Sequence, residues 1–121
     1  MLSNCRVLIA EDEALVAADL AYAVEDAHGE VVGPFATVKA GISYLADREV
    51  HAAILDVNLA DRTVTPMAMI LFHRGKVVVF HTASGLPGEL AEFFGHRHVC
   101  PKPSLPQHVV LHLARALGRA T

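Results

Sequence analysis

The chain has 121 residues, 53% of them apolar and 19% charged, with a formal net charge of -3. That length fits one domain, and the composition excludes a disordered chain. A weakly acidic balance with scattered Lys and Arg gives no electrostatic basis for nucleic-acid binding, and no apolar run reaches the roughly 18–20 residues that cross a bilayer.

The N-terminus, Met1-Leu2-Ser3-Asn4-Cys5-Arg6, lacks a basic stretch leading into an apolar one, so a cytoplasmic location is expected. In that compartment Cys5 and Cys100 are expected as reduced, buried thiols. Arg6 to Ala10 reads as a short buried strand. Asp12 or Glu13 can cap the helix that follows, where Leu15, Val16, Ala18, Leu20, Ala21 and Val24 recur at helical spacing until His28-Gly29. Val31 to Phe35 reads as a second strand, with Pro34 placing it at an edge or at the strand's close. Thr37 opens a second helix carrying Ala40, Ile42, Leu45 and Ala46.

Ala52 to Val57 is the third predicted strand, followed by the polar stretch Asn58 to Arg62. A third helix begins near Thr65-Pro66, where proline suits the first turn, and ends at Gly75. Lys76 to His81 holds Val77-Val78-Val79-Phe80, the clearest strand pattern in the chain. Gly85, Pro87 and Gly88 loosen the next segment, so the helix over Glu89 to Phe94 is expected to be short. His98-Val99-Cys100 is a brief fifth strand, and the last helix is expected over Ser104 to Arg119. This βαβαβαβαβα order predicts a parallel sheet with helices on both faces, in one domain over 1–121.

Acidic residues and one lysine stand at the predicted strand ends. Glu11-Asp12 follow the first strand, Asp56 closes the third, and Lys102 lies in Cys100-Pro101-Lys102-Pro103 after the fifth. Parallel strands bring such groups to one sheet edge, where open α/β folds bind ligands. Clustered carboxylates raise each other's pKa unless a cation compensates them, and Mg²⁺ suits an all-oxygen site. The combination points to phosphoryl chemistry.

Glu11-Asp12, Asp56, Thr82 closing the fourth strand, and Lys102-Pro103 together resemble the receiver domain of bacterial response regulators in its stand-alone, chemotaxis-regulator-like form. The resemblance spans nearly the whole chain and implies a flavodoxin-like (βα)5 doubly wound sheet of order 2-1-3-4-5, without an output domain. It casts Asp56 as phosphoacceptor, a carboxylate nucleophile. Mg²⁺ would be held by Asp12, by Glu11 through its water shell, by Asp56 and by the backbone carbonyl of Asn58. Thr82 and Lys102 would receive phosphoryl oxygens, and Ala83 leaves room beside them. Lys102-Pro103 corresponds to a cis peptide of the family. Phe80-His81-Thr82-Ala83-Ser84-Gly85 is similar to a subgroup with Phe-Ala-Thr-Gly at this place and a shortened fourth helix. Two residues depart from the pattern: Val99 replaces a switching aromatic, and Pro101 stiffens the loop before Lys102.

Each landmark also has a structural reading: Asp12 as a helix cap, Asp56 as a turn-former, Thr82 as a strand end and Lys102 as a solvated loop charge. The eight histidines suggest no metal set, because neither His108/His112 nor His96/His98 gains an acidic or cysteine partner in sequence; they are expected at the surface. His81 beside Thr82 is the exception to watch, as a histidine whose charge could change near neutral pH next to the phosphoryl site. The function the resemblance implies is that of a single-domain response regulator. Such a protein takes a phosphoryl group from a histidine kinase, and it signals to a downstream protein without binding nucleic acid or membrane, as a monomer or weak homodimer. It acts on itself and is not an enzyme in the turnover sense. The competing readings are a degenerate receiver that binds a partner without phosphorylation and a small aspartate-dependent phosphatase. A dinucleotide binder is disfavoured, because no Gly-x-Gly-x-x-Gly follows the first strand.

Overall fold

Every apolar run read from the sequence becomes a strand, and the computed structural model describes residues 1–119. Five strands, β1 (Arg6–Ala10), β2 (Glu30–Phe35), β3 (Ala52–Leu55), β4 (Val77–Thr82) and β5 (Val99–Pro101), alternate with five helices. The helices are α1 (Ala14–Asp26), α2 (Val38–Leu45), α3 (Thr65–His73), α4 (Gly88–Phe94) and α5 (Pro106–Ala116). All strand pairings are parallel, in the order β2-β1-β3-β4-β5, so the fold is the flavodoxin-like α/β architecture. Ala120 and Thr121, the end of the expected 1–121 domain, lie outside the described residues.

Strand alternation divides the core into two layers. Leu8, Ala53, Leu55, Val78 and Phe80 meet Val38 and Leu45 of α2, Met67, Ala68 and Leu71 of α3, and Leu90 of α4. Val7, Ile9, Ala52, Ile54 and Val79 meet Leu20 and Val24 of α1 and Val109, Val110 and Leu113 of α5. Phe80 packs edge-on against Phe94 at 4.9 Å between ring centres, which fastens the short α4 to the sheet. The central strands β1 and β3 are buried along almost their whole length, so they hold rigidly whatever projects from their ends.

Several local expectations change in the folded chain. Glu13 takes the N-cap position of α1, yet no side chain caps that helix. Thr37 does cap α2, accepting from Ala40 N at 3.1 Å, and Asp61 adds bonds from Val38 N and Lys39 N at 2.8 and 3.1 Å. These bonds hold the Asp61 carboxyl below its usual range, the Val38 bond contributing most. β3 stops at Leu55, so Asp56 stands just beyond the strand while its N–H still bonds Ala10 O at 2.8 Å. α5 starts at Pro106 rather than Ser104, with a proline in its first turn.

Both outer strands carry a proline. Pro34 sits where the β1–β2 register slips between Leu8 and Ala10, as proline in a sheet usually must. In β5, Lys102 N bonds Thr82 O and His98 O accepts from Phe80 N, so alternation turns Pro101 to the outer rim.

Candidate functional site

The carboxyl ends of β1, β3, β4 and β5 converge on one cleft. It has a volume of about 370 Å³ and is lined by Asp12, Glu13, Asp56, Asn58, Thr82, Ala83, Ser84 and Lys102. Every site residue expected from sequence lines this cleft except Glu11, which lies beneath it. Glu11 is 3% exposed, Asp56 8% and Thr82 2%, whereas Asp12 and Asn58 face solvent.

Carboxylate oxygens of Glu11, Asp12 and Asp56 lie within 4.8 Å of one another. Such crowding of anions requires compensation, and Lys102 supplies it. Its Nζ lies 2.8 Å from Glu11 Oε1, 2.9 Å from Asp56 Oδ2 and 3.1 Å from Glu13 Oε1. Burial pulls the Lys102 pKa down, but its bonds to Glu11, Asp56 and Glu13 outweigh that and hold the ammonium above its usual range. Burial pushes Glu11 up, and the nearby Asp56 charge adds to this while Lys102 opposes it. The remaining oxygens are fixed by the backbone: Glu13 N donates to Glu11 Oε2 at 3.1 Å, and Val57 N to Asp56 Oδ1 at 2.7 Å.

Two buried carboxylates and one exposed one, offering only oxygen, fit a hard divalent cation such as Mg²⁺. Asn58 fits the backbone role the resemblance gave it. Its neighbours bond across a short loop, Leu59 N to Arg62 O and Val64 N to Val57 O, and neither bond uses the Asn58 carbonyl.

The opposite wall is built by β4 and β5. Thr82 Oγ1 accepts from Ser84 N at 3.3 Å and lies 3.4 Å from Ser84 Oγ, which aims the hydroxyl toward the loop lining the cleft. Lys102 N donates to Thr82 O at 2.9 Å, tying the end of β5 to that of β4, and Lys102-Pro103 is cis. Ala83 is exposed at the rim, as its small size allows.

Several readings of the sequence require correction. Glu13, taken for a helix cap, is a third acid on Lys102; the unbroken Glu11-Asp12-Glu13 run was the available signal. His81 is 4% exposed, and among the described residues neither ring nitrogen has a hydrogen-bond partner. Burial first, and then Lys102, lower its pKa, so the imidazole stays neutral at neutral pH rather than changing charge there. His98 and His112 are not surface histidines. His112 meets a cysteine after all, with Nδ1 3.2 Å from Cys100 Sγ, and its Nε2 donates to Arg97 O at 2.8 Å. Among the described residues, however, the acidic trio forms the one set of three side chains placed to hold a metal. Cys5 and Cys100 are buried free thiols, as expected.

No family model matches the chain, and no curated protein matches it. Solved structures do. SdrG from Sphingomonas melonis Fr1 is 33% identical with a TM-score of 0.78, the match covering 96% of this chain and 97% of that one. The PhyR response regulator REC domain of Erythrobacter litoralis is 24% identical with a TM-score of 0.81, over 98% of this chain and 94% of that one. The response regulator PhyR from Brucella abortus is 27% identical with a TM-score of 0.70; 96% of this chain matches 47% of that protein, about half its length.

Proposed function

Because the chain belongs to the receiver domains of response regulators, we propose that it is a single-domain response regulator that accepts a phosphoryl group on Asp56 from a histidine kinase. The observation that carries this reading is the contact of Lys102 with Asp56 at 2.9 Å inside the carboxylate cluster. One oxygen of Asp56 is pinned by Val57 N, which leaves Oδ2 on the cleft side beside Lys102. A carboxylate oxygen attacks phosphorus as the phosphorus–nitrogen bond of the donor breaks, and the donor imidazole leaves with that electron pair. Mg²⁺, held by Glu11, Asp12, Asp56 and the Asn58 carbonyl, would neutralise charge on the phosphoryl oxygens.

The protein's own groups do the rest. Lys102 pairs with a phosphoryl oxygen once the Asp56 charge is shared, and the Thr82 hydroxyl donates to another. Thr82 and Lys102 are linked by one backbone bond, so a phosphoryl group engaging both acts on β4 and β5 together. Val99 lies opposite Phe80 in β5, where the family carries its switching aromatic. The signal is therefore assigned to strand and helix displacement on the side of α4, β5 and α5 rather than to a ring rotation. Output passes through contacts with a downstream protein. The chain catalyses its own phosphorylation and dephosphorylation only.

A small phosphodonor with Mg²⁺, followed by intact-mass measurement, tests this reading. One added phosphoryl group is expected on the wild type and none on Asp56→Asn. Full labelling of the variant would remove Asp56 from its role. An unmodified wild type would favour the phosphorylation-independent receiver that Val99 and Pro101 suggest. Mg²⁺ titration is expected to weaken in Asp12→Ala.

A further inference from the structure

A second concavity, on the opposite flank of β5, carries charge of the other sign. It lies between α5 and the turn before β5, has a volume of about 770 Å³, and is lined by Arg97, His98, His108, Leu111, His112 and Arg115 together with Ala116. His108, Leu111, His112 and Arg115 recur at helical spacing, so a single stripe of α5 forms one wall. Among the described residues no carboxylate lines the groove, and Arg97 and Arg115 make no ion pair. In a chain of formal charge -3, this is a strip of cations uncompensated among the described residues.

The groove is preorganised. A carbonyl only accepts, so His112 Nε2 carries the proton that it gives to Arg97 O at 2.8 Å. The other ring nitrogen, Nδ1, lies 3.2 Å from Cys100 Sγ. These two bonds lock the ring and clamp the turn bearing Arg97 against α5. His98 packs edge-on against His112 at 5.8 Å, with its Nδ1 buried and without a partner.

We propose that this groove binds an acidic segment of a protein partner, with Arg97 and Arg115 pairing its carboxylates. The proposal rests on the reading that output passes through protein contacts, and it names the partner's chemistry. A cation is disfavoured because two guanidinium groups repel it and the imidazoles do not converge with a third ligand. A free small anion leaves most of the volume unfilled. A nucleic-acid strand is disfavoured because no Phe, Tyr or Trp lines the groove as a stacking platform and the chain as a whole is acidic, with a formal charge of -3. A peptide suits it better: carboxylates meet the arginines, and apolar side chains meet Leu111 and Ala116. Cys100 lies on β5, whose end leads directly into Lys102, so the groove shares a strand with the phosphoryl cleft.

The test uses the full chain and a fluorescently labelled peptide of alternating glutamate and leucine, with a glutamine-for-glutamate counterpart as control. Fluorescence anisotropy should show saturable binding of the acidic peptide, weakening with added salt. The Arg97→Ala, Arg115→Ala double variant should lose about tenfold or more in affinity. Both side chains are exposed, so circular dichroism should show an intact fold. Binding that is absent, equal for the glutamine peptide, or unchanged in the double variant would overturn the proposal. Tighter binding of a single-stranded oligonucleotide through the same arginines would also overturn it. Phosphoryl uptake by wild type and double variant should be equal, so a failure of the Asp56 reading shows in mass and a failure of the groove shows in anisotropy.

Discussion

The cleft over β1 and β3 and the groove beside α5 use charge in opposite ways. In the cleft, acids are pressed together at the ends of buried strands, and one lysine satisfies three of them. In the groove, arginines stand in solvent with no partner among the described residues. Charge held by rigid, buried strands is strained and primed for chemistry, because the low dielectric magnifies every contact. Charge displayed on an exposed helix costs little and is suited to meeting another molecule. The molecule thus separates reaction from recognition along a single strand, β5.

The sharpest way to break this contrast is Asp56→Asn, for which complete loss of phosphodonor labelling is expected by intact mass. Next comes Lys102→Ala. It leaves Glu11 and Asp56 facing each other without a cation, and urea denaturation at neutral pH should show a loss of up to about 3 kcal/mol, moderated as Glu11 takes up a proton. In the wild type this stabilisation is present at neutral pH, because the folded Lys102 holds its proton more tightly than the unfolded one. It should disappear as pH rises through and beyond the ordinary lysine range. Mg²⁺ should restore more stability to Lys102→Ala than to the wild type, since the metal then supplies the missing positive charge.

His81 gives a smaller effect of the opposite sign. A histidine held below its ordinary pKa in the fold takes up a proton more readily once unfolded, so stability should fall as pH drops below the ordinary histidine range. His81→Leu should flatten that acid limb and, by removing an unpaired buried imidazole, add about 1 kcal/mol at neutral pH. Arg115→Ala closes the series. Denaturation should place it within about 0.5 kcal/mol of the wild type, as an exposed cation without a partner among the described residues should be. A large loss there would show that the groove is part of the fold's own support, and the contrast would fail.

Much of the cleft was readable before any coordinates. Hydrophobic runs alternating with helical patterns dictated the parallel sheet, and parallel strands carry whatever follows them to one edge, which is why Glu11, Asp12, Asp56, Thr82 and Lys102 meet. What escaped the sequence depends on contacts between distant segments. Asp61 caps a helix that begins 23 residues earlier, and nothing local marks it for that task. The contact of Cys100 with His112 spans 12 residues and joins a strand to a helix, so two histidines expected in water are instead part of a wall. Glu13 followed local cap logic until Lys102, 89 residues away, claimed its carboxylate. The environment of His81 was equally hidden, because burial on the α1/α5 side of β4 rather than its neighbour Thr82 governs its proton.

The prolines of the two outermost strands have a consequence for the molecule among its copies. An exposed sheet margin is a template on which a strand from another chain can hydrogen-bond, and from there aggregates grow. Pro101 removes a donor from one margin, and Pro34, at the register slip, breaks the regular spacing of the other. Five-stranded growth into a shared intermolecular sheet is thereby discouraged on both sides, and self-association is left to the helical surfaces.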